Sequence, residues 1–201
     1  MGFAWMKNKD KLKEVFVKYN SAMPAQKTFQ ILKKYISKKD SVLNIGAGTC
    51  VLDEKFVEEG HKITPIDIYD GSLSDKVAPI VYDGRKIPAK NKSYSVALLM
   101  SVLHHVPDQK ELLNEAVRVA DRVIVQEDLV GGHKRKKAYS IFDNFINCDF
   151  NFNKNNYHSL EEWKQIFSEL GLEICGKEKK KSYFVVDQAV FVLKPKAGFE
   201  A

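Results

Sequence analysis

Cysteine is scarce in this chain and badly placed for any joint role: three among 201 residues, Cys50, Cys148 and Cys175. An odd, scattered set offers neither metal-ligand spacing nor a disulfide framework, and it points to a reducing, cytoplasmic setting. Long apolar runs are missing as well. Ser95 to Leu103 falls far short of the ~20 residues a membrane-spanning helix needs, so no span is expected. The amino terminus lacks the apolar stretch of a secretory signal. Met1-Gly2 is followed at the sixth position by Met6, not Ser or Thr, which excludes the myristoylation pattern. Internal repeats and low-complexity tails are absent. Charge is not strongly of one sign: 32 Lys and Arg against 26 Asp and Glu leave +6, which permits an anionic partner without demanding one.

What is present suits one domain, because 44% hydrophobic residues over 201 positions can fill a single core. Apolar runs alternate with helical patterns. Val42–Ile45 reads as a strand that stops at Gly46-Ala47-Gly48, and Val51, Leu52, Phe56 and Val57 then recur at helical spacing up to Gly60. Strands are expected at Lys62–Ile68, Pro79–Tyr82, Tyr94–Met100 and Val123–Gln126. Pro107-Asp108 opens a helix bearing Leu112, Leu113, Ala116 and Val117. Only Gly71 to Val77 remains for a helix between the second and third strands, which must be short or irregular. This alternation argues for a parallel sheet with right-handed crossovers over residues 39–130.

Less regular regions flank that core. Residues 1–38 hold two amphipathic helices broken at Pro24. Residues 131–157 open on Gly131-Gly132, pass through a basic cluster and read as an insert or lid. Residues 158–194 supply a helix starting at Ser159-Leu160-Glu161-Glu162, close to a capping box, then strands at Leu172–Cys175 and Tyr183–Leu193. A charged hairpin at Lys177–Lys181 is expected between those strands.

Three strand ends carry the chemistry. Gly46 and Gly48 in Asn44-Ile45-Gly46-Ala47-Gly48-Thr49-Cys50 remove side chains that would keep a ligand from the backbone. Asp67 ends the next strand about twenty residues on, where a carboxylate accepts from ribose hydroxyls in dinucleotide folds; capping of a turn is the other use of Asp there. Asp83 ends the third strand before Gly84-Arg85-Lys86-Ile87-Pro88. Its carboxylate can accept from an exocyclic adenine amine, or Asp-Gly can simply make a turn. Together they place a nucleoside across the carboxyl edge of the sheet.

Leu43 to Cys50, Ile66-Asp67-Ile68, Tyr82 to Pro88 and Leu98 to Asp108 resemble, in order and spacing, successive motifs of the class I S-adenosylmethionine-dependent methyltransferases, closest to the small type 11 methyltransferase domain. The likeness runs from about residue 25 to 194. It implies an α/β, Rossmann-like, seven-stranded and mostly parallel sheet with an antiparallel last strand and helices on both faces. It implies S-adenosylmethionine as cofactor. Asn44, Gly46, Ala47 and Gly48 would lie by its methionyl part, Asp67 and Ile68 by the ribose, and Asp83 with Gly84 by the adenine. Ser101 would line the methionyl end, and Tyr19 would close over the carboxylate. Two residues depart from the family: Asn44 stands where Asp or Glu is usual and Cys50 where Gly is usual. Asn accepts a hydrogen bond but brings no charge to balance an ammonium; Cys is tolerated if the backbone there is ordinary helix.

Methyl transfer is a direct displacement, so alignment supplies much of the rate, and a base is needed only for an acceptor that must lose a proton. His104 is read as facing the acceptor and His105 as more structural. Tyr139, Asp143, Asn144 and Asn147 form a polar stripe in the lid. The basic clusters at His133–Lys137 and Lys177–Lys181 lack the interleaved aromatics of a stacking platform, so nucleic acid is not favoured and solvated surface is the default. A nicotinamide dinucleotide competes for the glycine turn, but it asks for Gly or Ala at Cys50 and gives Asp83 and His104-His105 no place. The expected protein is a monomer or weak dimer that methylates a small molecule without a metal. A cofactor-holding protein without turnover, and an RNA or protein methyltransferase using the basic clusters, are the alternatives.

Overall fold

Val42, Leu43 and Ile45 are buried along the first strand, β1 (Ser41–Ile45), which stops where Gly46 takes a φ of 73°. The computed structural model describes residues 22–132, 136, 137, 139, 156–181 and 186–198. The chain divides into two units, Met1–Gly84 and Arg85–Ala201.

In the first unit, helix α1 (22–32) buries Phe29 and Leu32. Phe29 meets Phe56 of α2 (Val51–Glu58) edge-on at 4.9 Å and 89°. Residues 22–32 are helical with Pro24 among them, and the first of the two expected amino-terminal helices lies outside the described residues. Proline is compatible with helix wherever its missing N–H would have had no partner, as in a first turn. β2 (Lys62–Asp67) pairs in parallel with β1, Ile45 opposite Ile66. The third strand is shorter than expected, β3 (Ile80–Val81), parallel to β2 with Val81 opposite Asp67. Between them the chain forms no helix. Ser72 instead ties the loop, its hydroxyl donating to the Val77 carbonyl at 2.7 Å.

In the second unit, Val96–Leu99 are buried to the last, on both faces of β4 (Tyr94–Met100), as a central parallel strand requires. A 3-10 turn at Leu103–His105 leads to α3 (Gln109–Val119), which Asp108 caps by accepting from the Glu111 amide at 2.9 Å. β5 (Ala120–Leu129) outruns the expected Val123–Gln126 because buried Glu127 and Asp128 continue it. α4 (Leu160–Glu169) opens with a full capping box between Ser159 and Glu162. β6 (Leu172–Lys181) pairs with β7 (Asp187–Pro195), and β7 runs antiparallel to both β5 and β6. The charged hairpin expected at Lys177–Lys181 is therefore strand, with Lys179 opposite Ala189. Lysine is well suited to an edge strand, where it discourages further pairing.

The strands form one seven-stranded, mostly parallel sheet in the order β3-β2-β1-β4-β5-β7-β6. No helix among the described residues is long and apolar enough to cross a membrane.

Candidate functional site

The turn after β1 is held by backbone alone, with the amides of Gly46 and Ala47 both donating to the Ile66 carbonyl at 2.9 and 3.1 Å. Gly48 has a φ of 53°, and a Cβ added there would meet nothing within 4 Å. Left-handed backbone with open space beside it is what a glycine supplies for close approach of a ligand. Asp67, only 7% exposed, closes the turn from the end of β2. Its carboxylate accepts from the Gly48 amide at 2.7 Å and from its neighbour Ile68 at 2.6 Å. A carboxylate offers about four acceptor sites, so two amides leave it capacity for a diol.

Ile68 beside it is 62% exposed, large and apolar, and a Cβ on Gly84 would come within 2.9 Å of its side chain. Gly84, at φ 76°, thus lets Ile68 lie against the segment that carries exposed Asp83. Tyr69, also exposed, rests over Gly71, whose added Cβ would fall 2.8 Å from its ring and 3.3 Å from the Gly48 carbonyl. The structure brings Gly46, Ala47, Gly48, Asp67, Ile68 and Gly84 together within the first unit. Tyr19 lies outside the described residues, as do Asp143, Asn144 and Asn147 of the lid stripe.

The two departures from the family motif have a physical reading. Cys50 is not in ordinary helix: its φ is 54°, left-handed backbone that favours glycine. The condition under which Cys would be tolerated there is not met, and the left-handed backbone costs on the order of 1 kcal/mol. Its buried thiol is pushed up to about 11, first by desolvation, then by the nearby charges of Asp53, Asp67 and Asp70, against a hydrogen bond with Ser72. Asn44, 2% exposed, donates from Nδ2 to both carboxylate oxygens of Asp53, at 3.0 and 2.9 Å, and its Oδ1 is buried with no partner. Asp53 was not picked out from sequence, since a carboxylate in a helix's first turn is ordinary. Here it is fully buried, and burial pushes its carboxyl from 3.8 to about 7 despite the Asn44 amide.

In the second unit, Ser101 follows β4 with φ 58°, its amide donating to the Gln126 carbonyl at 2.8 Å. His104, read as facing the acceptor, is buried, and His105, read as more structural, is exposed. His104 is 2% exposed, its Nδ1 donating to Glu127 Oε2 at 2.6 Å and its ring stacked on Tyr157 at 4.8 Å. His105 is exposed, its ring centroid 4.0 Å from that of His104. Glu127 also accepts from the Leu103 amide at 2.7 Å. Asp128 accepts from Tyr139 Oη and Gln188 Nε2, each at 2.9 Å, while burial raises its carboxyl above the usual range. Neither carboxylate was singled out from sequence. The signal available was a pair of charges inside an otherwise apolar strand.

A glycine turn closed by a strand-end carboxylate, at the start of a seven-stranded sheet with β7 reversed, defines the class I nucleoside-binding methyltransferases. A family model described as a methyltransferase domain matches residues 17–175, and the chain belongs to that methyltransferase family. The ubiquinone biosynthesis O-methyltransferase of Nitrosospira multiformis is 28% identical over 90 residues, which cover 39% of this chain and 38% of that protein. The chain therefore matches well under half of that relative's length. An S-adenosylmethionine-dependent methyltransferase from Methanosarcina mazei aligns with a TM-score of 0.64 at 16% identity, over 83% of this chain and 97% of that one. One from Thermotoga maritima gives 0.64 at 18%, over 98% and 100%. The [4+2]-cyclase SpnF gives 0.66 at 13%, over 86% and 81%. At such identities these structures speak for the fold alone.

Proposed function

We propose that this chain binds S-adenosylmethionine along the β1–β2 rim and transfers its methyl group to a small-molecule acceptor. The observation that carries the reading is Asp67, nearly buried and holding the Gly48 and Ile68 amides beside open space over Gly48. When bound, the cofactor supplies an electrophilic methyl on a sulfonium. The chain's own groups do the rest. Asp67 accepts from the ribose hydroxyls, Ile68 offers the adenine an apolar face, and Asp83 with Gly84 meets the adenine edge. Gly46, Ala47 and Gly48 admit the methionyl part, with Asn44 beside them.

Charge at the turn supports a sulfonium over a pyrophosphate. Asp53, Asp67 and Asp70 all act on Cys50, and Asp53 and Glu54 fill the first turn of α2. A helix N-terminus favours anions only when its first turn does not already hold them. For an acceptor that must lose a proton, exposed His105 is the base this reading assigns, with buried His104 and Glu127 behind it. The protein is proposed to act in the cytoplasm as a monomer or weak dimer, with solvated surface as the role of its basic clusters.

A cofactor-holding protein without turnover is the second reading, favoured by the left-handed Cys50 and the uncharged Asn44. Calorimetric titration with S-adenosylmethionine, S-adenosylhomocysteine and NAD tests the first step. Both sulfur nucleosides are expected to bind and NAD is not; tight NAD binding in their place would end the proposal. Transfer of labelled methyl to a small-molecule extract then separates enzyme from holder.

A further inference from the structure

Asn44, at the end of β1, carries no charge, but a buried carboxylate stands one layer back, on α2. Asp53 faces Asn44 across the β1–α2 packing, and both its carboxylate oxygens accept from Asn44 Nδ2, at 3.0 and 2.9 Å. That arrangement determines the rotation of the amide. An ionised carboxylate accepts only, so it draws Nδ2 toward itself and turns Oδ1 the other way. Oδ1 is then buried without a partner, one residue before Ile45 and the glycine turn. A buried acceptor without a donor is rare in native proteins and calls for a ligand or an ordered water.

We infer that Asp53 is a positioning residue for the cofactor: its proton decides whether Asn44 presents an oxygen or an NH2 group to the methionyl ammonium. The inference rests on the cofactor reading above and gives it a regulation. With Asp53 ionised, Asn44 Oδ1 is offered and accepts from an ammonium. With Asp53 protonated, its O–H donates to Oδ1, the amide turns over, and Nδ2 confronts the ammonium as donor against donor. The same two side chains then refuse the group they otherwise receive.

The proton belongs to Asp53 and moves within the working range of pH. Burial pushes Asp53 up to about 7, and the Asn44 amide opposes that shift. Cys50, on the turn before the same helix, is the titratable group whose thiol feels Asp53, and it stays neutral with its own value raised to about 11. On the neighbouring elements, Asp67 of β2 is engaged by the Gly48 and Ile68 amides and Asp70 by the Ser72 amide. Lys76 pairs with Glu58 at 2.6 Å and with Glu54 at 3.8 Å. Ligand binding that selects the ionised form must release a proton below neutrality, and affinity then falls by up to about tenfold per pH unit on the acid side.

S-Adenosylhomocysteine is the probe, because it carries the ammonium and cannot turn over. Calorimetric titration of the full chain at about pH 6 and about pH 8, each in two buffers of different ionisation enthalpy, reads the linkage. The expected result is release approaching one proton at the acid end, little at the alkaline end, and binding about tenfold weaker in acid. Asp53→Asn is expected to bind with neither pH dependence nor proton release. A linkage that persists in Asp53→Asn, or is missing from the wild type, overturns the inference. A second measurement needs no ligand: the Asn44 side-chain amide signals in the free protein should titrate with a midpoint near about 7. Flat signals overturn the switch itself, whereas failure of the nucleoside to bind at either pH overturns the cofactor reading instead.

Discussion

Both units bury carboxylates near the carboxyl ends of their strands or in the helix that follows, and they treat them in opposite ways. On β5, Glu127 is closed off by the Leu103 amide and His104, and Asp128 by Tyr139 and Gln188. Along the β1–β2 rim, Asp67 keeps acceptor capacity, Asn44 Oδ1 has no partner, and Asp53 is held close to its protonation point. A fully satisfied network rigidifies its surroundings, while an incomplete one costs stability until something completes it. The difference is one of completion: the β5 carboxylates are met by the chain's own donors, and the β1–β2 rim keeps an acceptor without one, which is what the proposed cofactor site requires.

The largest expected effect tests the finished side. Glu127→Ala removes the partner of a buried histidine and of a buried amide, and should destabilise the fold by about 3–5 kcal/mol. Urea denaturation measures that loss. Binding of S-adenosylhomocysteine by the folded fraction should be retained; a large loss of affinity at unchanged stability would break the contrast.

Next comes the open side in the absence of ligand. Asp53 has its folded-state value raised from 3.8 to about 7, so its contribution to stability is fully present below the lower value and is lost as pH rises through the upper one. Asp53→Asn should therefore stabilise the free protein above about pH 7 by on the order of 2–4 kcal/mol and have little effect near about pH 4. Thermal unfolding across that window checks the sign. A variant that loses stability at high pH would mean Asp53 is satisfied in some other way. Asp67→Ala is smaller in energy and more specific: it should weaken both sulfur nucleosides by about 1–3 kcal/mol, the cost of leaving hydroxyls and amides without their acceptor. Unchanged calorimetric affinity would remove Asp67 from the ribose.

Legibility in the sequence followed how local each signal was. Val42–Ile45, Lys62–Asp67 and Tyr94–Met100 declared themselves by dense apolar runs against glycine or aspartate stops, and the capping box at Ser159 and Glu162 is written in four letters. β5 and β6 were cut short because Glu127, Asp128 and the lysines of 177–181 look like loop, and only pairing with β7 makes them strand. The same blindness hid the chemistry. Asp67 could be read from its place at a strand end, but nothing in Val51-Leu52-Asp53-Glu54 says that Asp53 turns inward to Asn44. The direction of a histidine after a strand is likewise settled by tertiary packing, which sent His104 inward to Glu127 and left His105 outside.

The smallest effect is expected where charge is most abundant. Lys177 and Lys179 lie exposed on β6, close enough to influence Glu161 on α4, which is held below its usual range chiefly by Lys164. Water screens such charges, and surface pairs contribute little to stability. The double variant Lys177→Gln, Lys179→Gln should therefore leave Tm within about 1–2 °C. Its charge has a use the folded monomer does not register. An edge strand stripped of lysine is a better template for another strand, so the variant should self-associate more readily in sedimentation at high concentration. Were this face a nucleic-acid surface instead, the wild type would bind RNA with an affinity that falls steeply with salt, and the variant would lose it. Absence of RNA binding together with increased self-association would leave β6 a guarded edge.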